Sequence, residues 1–243
     1  MLFLYGTVYN NANTVIDTLN SIKDLNYSFI YITDNFSNDG TYEILKKYSN
    51  EYRIKIFRVK STRGFGRGFS LNKALEESDN NVVFMFIDFD TIYSDDSISF
   101  INSKINTIDD NSIYNNFLST RKANEIVGWA NLNYGEDWER LAHFRKLNYK
   151  IYITNFNDVN QETSGYREIR YAHGMRLFIR GFKNAIDSQR GFCFKSFRAY
   201  YKKQRMKKYK PMYYLAFLLA NIIGCYCYSE ELDNKTYALE PDK

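Results

Sequence analysis

Cysteine, histidine and proline are scarce in this chain, and each scarcity closes off a class of protein. The three cysteines, Cys193, Cys225 and Cys227, are odd in number and form no C-x-x-C pair. That argues against a disulfide frame and for a reducing compartment. Two histidines, His143 and His173, are too few for a histidine-rich zinc centre. Only two prolines and twelve glycines occur in 243 residues, so there are few breakpoints, no obvious linker and no internal repeat. The opening "LFLYGTVYN" lacks the basic start and cleavage site of a secretory signal. A cytoplasmic protein is expected.

What is present is a globular composition, with 44% apolar and 25% charged residues, enough to bury a sizeable core. The net charge of +5 is unevenly spread. From Arg176 to Lys210 there are twelve Lys or Arg and one acid, Asp187, which leaves 21 bases and 27 acids elsewhere. A mildly acidic body therefore carries one strongly basic segment, suited to an anionic partner.

Strand-like and helix-like patterns alternate through the first half. "LFLYGTVYN", "FIYIT", "YRIKIFRV" and "NVVFMFI" read as strands, and "TVIDTLNSI", "TYEILKKYS" and "SLNKALEES" as helices. "RGFGRGF" reads as a glycine-broken loop. Such alternation predicts βαβ units and a mostly parallel sheet with helices on both faces. Ligands of such sheets sit beyond the carboxyl ends of the strands. Tyr9, Asn10, Asp34, Asn35, Asp88 and Asp90 all fall at that edge.

The stretch "VVFMFIDFDTIYSDD" poses a question of charge. Asp88 and Asp90 follow a buried-looking apolar run and, at i and i+2, share a side if the strand continues. Carboxylates so placed require a compensating cation. A divalent metal bound with a diphosphate, a Lys or Arg, or solvent could each serve, and D-x-D alone does not choose.

The order of motifs does choose. "GTVYNNANTVIDTLNSI", "IYITDNFSNDGTYEIL", "RGFGRGFSLNKALEESDNNVVFMFIDFD" and "GEDWERLAHFRKLNYKI" follow one another in a pattern that resembles the family 2 glycosyltransferases, inverting enzymes that use nucleotide-sugar donors. The resemblance covers about residues 1–153. It implies an α/β fold of the GT-A type, to which the charge pattern adds a basic helical C-terminal extension. The expected division is a catalytic domain over 1–175 (donor half about 1–95, acceptor half about 96–175) and a basic region over 176–243.

The resemblance also implies roles. Asp137 matches the family's catalytic base, with Glu136 beside it. Thr7, Tyr9, Asn10 and Asp34 match the donor-binding set, with Tyr9 packing on the nucleobase. Arg63 or Arg67 meets the diphosphate, and Asp88 touches ribose or metal. Asp90, together with Asp88, is the expected metal ligand, with His173 as a weaker third. Manganese or magnesium is the implied cofactor, a nucleotide sugar the co-substrate, and a glycan, lipid-linked group or protein the acceptor. The chemistry of the residues agrees. A carboxylate at a helix start is held ionised by the helix dipole and can take the proton of an attacking hydroxyl. Where the family often has A-R-N, this chain has Ser70-Leu71-Asn72.

Two other readings compete. Gly64-Phe65-Gly66-Arg67-Gly68 after a strand suggests a Rossmann-type NAD(P)-dependent oxidoreductase, although its third glycine falls one position early. The basic block suggests a nucleic-acid-binding protein, a reading that makes no use of the acidic strand ends. No nucleic acid is expected. Met212 to Tyr228 is a run of 17 uncharged residues, long enough for a helix of roughly 25 Å, shorter than a bilayer core. It suits an interfacial helix or a buried core or oligomer helix. The neighbouring "KKQRMKKYKP" favours peripheral association of residues 195–228 with an anionic membrane, at its inner face.

Overall fold

The computed structural model describes residues 1–131 and 136–161. His173 and the whole C-terminal region, with its basic block and the apolar run at 212–228, lie outside the described residues. No helix among the described residues is long and apolar enough to cross a membrane.

Alternating strands and helices build the first half. They are β1 (Leu2–Val8), α1 (Val15–Ser21), β2 (Tyr27–Asp34), α2 (Thr41–Lys47), β3 (Ile54–Arg58), α3 (Arg63–Glu76) and β4 (Val83–Phe86). Shorter elements follow: β5 (Thr91–Ile92), α4 (Asp95–Lys104), β6 (Ser112–Ile113), β7 (Ser119–Thr120), α5 (Arg121–Ile126), α6 (Glu136–Lys146), β8 (Lys150–Ile151) and β9 (Val159–Asn160). The central sheet has the order β3-β2-β1-β4-β7, parallel except for β7, which runs antiparallel to β4.

The central strands β1 and β4 are almost wholly apolar because both faces of the sheet are covered there. Leu2, Leu4, Val83, Met85 and Ile87 point to one face, against Val15 and Leu19 of α1, Leu45 of α2, and Ile98 and Ile101 of α4. Phe3, Tyr5, Phe84 and Phe86 point to the other, against Leu71 and Ala74 of α3, Ala123 of α5 and Phe144 of α6. The chain steps outward from β1 to β3, then returns past β1 to β4. With crossovers of one hand, that reversal moves the connecting helix to the opposite face and opens a crevice between the carboxyl ends of β1 and β4.

One expectation fails. "RGFGRGF" is not a loop but the first two turns of α3. The Thr62 hydroxyl accepts from the Phe65 amide, capping the helix. Its glycines serve close packing instead. A Cβ on Gly66 would lie 2.5 Å from Thr7 Oγ1, and one on Gly6 would lie 2.5 Å from the Ile87 carbonyl oxygen. Close approach of α3, β1 and β4 requires bare α-carbons at these points. The phosphate-cradling glycine loop on which the NAD(P) reading rested is therefore absent here.

Candidate active site

The crevice is lined by chain that leaves β1, β2 and β4. Thr7 ends β1 with its hydroxyl donating 2.9 Å to the Thr33 carbonyl, which pins β1 to β2. Beyond it the chain turns at Asn10, whose φ of 55 puts it in the left-handed region that asparagine tolerates. The Asn10 amide donates to Ser37 Oγ at 3.0 Å, and its side-chain oxygen accepts from the Asn38 amide at 3.1 Å. Tyr9, between these anchors, is 52% exposed and offers its ring to solvent.

Asp34 is fully buried. Its carboxylate accepts from the Ser37 amide at 3.1 and 3.3 Å and pairs with Arg58 Nε at 3.1 Å. Arg58 is sandwiched between the rings of Phe36 and Tyr42, at 5.1 and 4.6 Å. Asp34 thus anchors the turn that holds Asn10, and its charge is satisfied inside the protein.

β4 ends at Phe86, so Asp88 and Asp90 lie on a turn rather than on a continued pleat. Phe89 between them is buried against the hydrogen face of Gly6. The turn is held by its backbone. The Thr14 hydroxyl donates to the Phe89 carbonyl at 2.7 Å, the Asp88 amide donates to the Tyr93 hydroxyl at 3.1 Å, and the Gln161 amide donates to the Asp90 carbonyl. Both aspartate side chains are thereby left for other work. Burial first, then repulsion from Asp88, pushes the Asp90 carboxyl up to about 6, with Arg63 and Arg67 opposing.

Opposite the turn, α6 begins with Glu136 and Asp137, and the two sides meet at Arg67. Its Nη2 lies 3.2 Å from Asp88 Oδ1, and its Nη1 lies 3.0 Å from Glu136 Oε1 and bonds Asp137 Oδ1. Arg63, one turn earlier on α3, has its Nε 3.8 Å from Glu136 Oε1. Three carboxylates, Asp88, Glu136 and Asp137, therefore share two guanidiniums, and Asp90 lies within the electrostatic reach of both. The Asp137 carboxyl is raised by desolvation and by repulsion from Glu136 and Asp88, against the pull of Arg67. It remains 42% accessible at the cleft surface, so water still reaches the group.

Sequence reasoning missed the frame behind these acids. Glu136, Arg140 and Phe144 occupy one buried stripe of α6 at i, i+4 and i+8. Arg140 donates to the Tyr5 hydroxyl, to Asn124 Oδ1 at 2.7 Å and to the Val127 carbonyl at 2.9 Å. Trp129 donates to the same Tyr5 hydroxyl at 3.2 Å, and its ring lies 4.7 Å from Arg140 and 4.9 Å from Arg67. Two guanidiniums thus flank one indole. The available signal was Arg140 four residues after Glu136, on a helix whose apolar positions are too few to fill its buried face.

A mostly parallel, doubly covered sheet with a carboxylate-lined crevice at its switch point defines a nucleotide-diphospho-sugar transferase fold of the GT-A type. Residues 7–156 match the family described as Glycosyl transferase family 2. The chain belongs to that family. It is 32% identical over 91 residues to the poly-beta-1,6-N-acetyl-D-glucosamine synthase of Staphylococcus epidermidis, a match covering 37% of this chain and 21% of that protein. It is also 32% identical over 87 residues to the SPbeta prophage-derived glycosyltransferase SunS of Bacillus subtilis strain 168, covering 36% and 19%. The match thus spans about a fifth of the length of these curated relatives. Among solved structures, S. aureus TarS 1-349 in complex with UDP-GlcNAc superposes with a TM-score of 0.62 at 14% identity, over 96% of this chain and 82% of that one. The mannosyltransferase PcManGT of Pyrobaculum calidifontis, in complex with GDP-Man and Mn2+, gives a TM-score of 0.50 at 14% identity, over 98% and 76%.

Proposed function

We propose that this chain transfers a sugar from a nucleoside-diphosphate donor to an acceptor hydroxyl or lipid phosphate, with inversion and with the help of a divalent metal. The observation that carries the reading is the gathering of Asp88, Asp90, Glu136 and Asp137, from segments far apart in sequence, around Arg63 and Arg67 at the carboxyl edge of the sheet. That excess of negative charge suits a divalent cation and a reaction needing one free carboxylate.

On this reading the exposed ring of Tyr9 packs on the nucleobase, and Thr7, Asn10 and the turn anchored by Asp34 shape the floor of the nucleoside pocket. Arg63 faces the diphosphate, for which a guanidinium is a natural bidentate partner. Among the described residues no three His, Cys, Asp or Glu side chains cluster as a ready metal cage. Asp88 and Asp90 still fit magnesium or manganese, which take hard oxygen ligands and leave several positions to substrate phosphates and water. Burial and the nearby Asp88 raise the Asp90 carboxyl, and a divalent cation between the two would relieve that repulsion. When bound, such an ion stabilises charge on the departing diphosphate.

Asp137 is the base. It is ionised above its raised pKa, reaches the cleft, and takes the acceptor proton as the oxygen attacks the anomeric carbon from the face opposite the leaving group. Glu136, buried behind it, adds negative charge that keeps the pKa of its neighbour within the range a base needs. Activity then falls towards acid pH, beginning above the ordinary carboxylate range, as Asp137 gains its proton.

The test has two parts. A thermal-shift screen of nucleotide sugars with and without manganese should reveal a donor that raises the melting temperature by mass action. Asp137→Asn should then bind that donor as well as the parent while turnover falls by roughly 10²–10⁴-fold. A fully active Asp137→Asn protein removes this residue as the base, and a screen in which no nucleotide stabilises the fold removes the donor class.

A further inference from the structure

Arg67 was expected to meet a diphosphate, yet its surroundings suit another task. The residue is 1% exposed. The Phe86 ring centre lies 4.0 Å from its guanidinium carbon and the Trp129 ring 4.9 Å away. Its two terminal nitrogens are already committed, Nη2 to Asp88 on the donor side and Nη1 to Glu136 and Asp137 on the acceptor side. A phosphate could reach it only by displacing carboxylates in a walled position. Arg63, one turn earlier on α3, is 50% exposed.

The pairing is also incomplete. Both Glu136 carboxylate oxygens and Arg67 Nε are buried and make no hydrogen bond among the described residues, although Glu136 Oε1 lies 3.0 Å from Arg67 Nη1. One guanidinium is divided among three acids and satisfies none of them in full. In such a cluster, drawing one partner away strengthens the pairs that remain.

We propose that Arg67 is a positioning residue that couples the two halves of the site: its fork ties the donor-side Asp88 to Asp137, so that engagement of Asp88 by a bound donor sets the placement of the base. This inference rests on the transferase reading and assigns Arg67 within it. A donor complex that takes Asp88 from the solvent side draws on a carboxylate the guanidinium also holds, which leaves Nη1 and Nη2 to Glu136 and Asp137. Only arginine fits this duty. Its planar fork presents separate nitrogens in two directions, whereas a lysine ammonium is a single point.

The experiment compares the parent with Arg67→Lys, using the full chain. UDP and GDP affinities with manganese are measured by calorimetry, and turnover is measured with the nucleotide sugar that gives the largest thermal shift. Nucleotide affinity and donor KM should stay within about threefold while kcat falls about 100-fold or more, consistent with a misplaced base. A tenfold loss of nucleotide affinity with kcat preserved would make Arg67 a diphosphate ligand and overturn the proposal, as would parental turnover. A second measurement needs no substrate. Urea midpoints are taken for Arg67→Lys combined with Asp88→Asn and, separately, with Asp137→Asn. Each double variant should lose less than the two single losses together, since both partners of each pair are already impaired. Additive losses at either acid overturn the shared guanidinium even in an active transferase. Non-additive losses in a chain that turns over no nucleotide sugar support it and count against the transferase reading instead.

Discussion

Two glycines two residues apart on α3 should respond to alanine with opposite sign. In an exposed or roomy helix interior, Gly→Ala gains up to about 1 kcal/mol through propensity. At Gly68 the added methyl would meet Trp129 Cβ at 3.5 Å, an ordinary van der Waals separation. Gly68→Ala should therefore stabilise by about 0.5–1 kcal/mol. At Gly66 the methyl would lie 2.5 Å from Thr7 Oγ1, 3.0 Å from Ser61 Oγ and 3.1 Å from Thr7 Cβ. Thr7 cannot simply swing aside. It is β-branched, its hydroxyl bonds the Thr33 carbonyl, and its Cβ would remain too close. Overpacking of this kind costs about 1–3 kcal/mol, which outweighs the propensity gain. The propensity gain is common to both, so the two variants should differ by about 1–3 kcal/mol in urea unfolding, with Gly66→Ala the less stable. If Thr7 borders the nucleoside pocket as proposed, Gly66→Ala should also weaken donor binding while Gly68→Ala spares it. If both substitutions shift the midpoint in the same direction by similar amounts, close packing of α3 on β1 is not what these glycines provide.

Asp90→Asn should raise the melting temperature of the ligand-free protein at pH 7–8. A carboxyl raised to about 6 in the fold destabilises it when ionised, and this penalty is relieved as pH falls from about 6 towards 4. The advantage of the variant should shrink over that interval in a melting series, and a constant difference across pH would rule out the titration of Asp90 as its source. The same variant should lose the manganese dependence of donor binding. Arg140→Met should cost about 2–4 kcal/mol in urea unfolding, since it strips donors from the Tyr5 hydroxyl, Asn124 Oδ1 and the Val127 carbonyl in a buried setting. A loss below about 0.5 kcal/mol would mean that this network contributes little.

Local pattern determined a good deal of this protein. Alternation of apolar strands with helical segments was legible because periods of 2 and 3.6 leave distinct marks, and doubly covered strands read as unbroken apolar runs. The acidic strand ends and the Glu136-Asp137 pair were legible too, since carboxylates beside apolar runs are conspicuous. The glycine-rich run was not. Composition says that glycine permits a loop, but the place of Gly66 inside α3 follows from how closely Thr7 approaches, and no local window contains that contact.

The compensating cation was likewise a tertiary matter. The sequence posed the charge problem at Asp88 and Asp90, and the fold put Arg67 against Asp88 by carrying α3 across to the far face of the sheet. Arg140 under Tyr5, Asp34 paired with Arg58, and the indole between two guanidiniums arise the same way. Secondary structure depends on neighbours along the chain, so the sequence alone sets it. Ion pairs inside a core depend on which distant segments the sheet order brings within a few ångströms, and only the packed structure decides that.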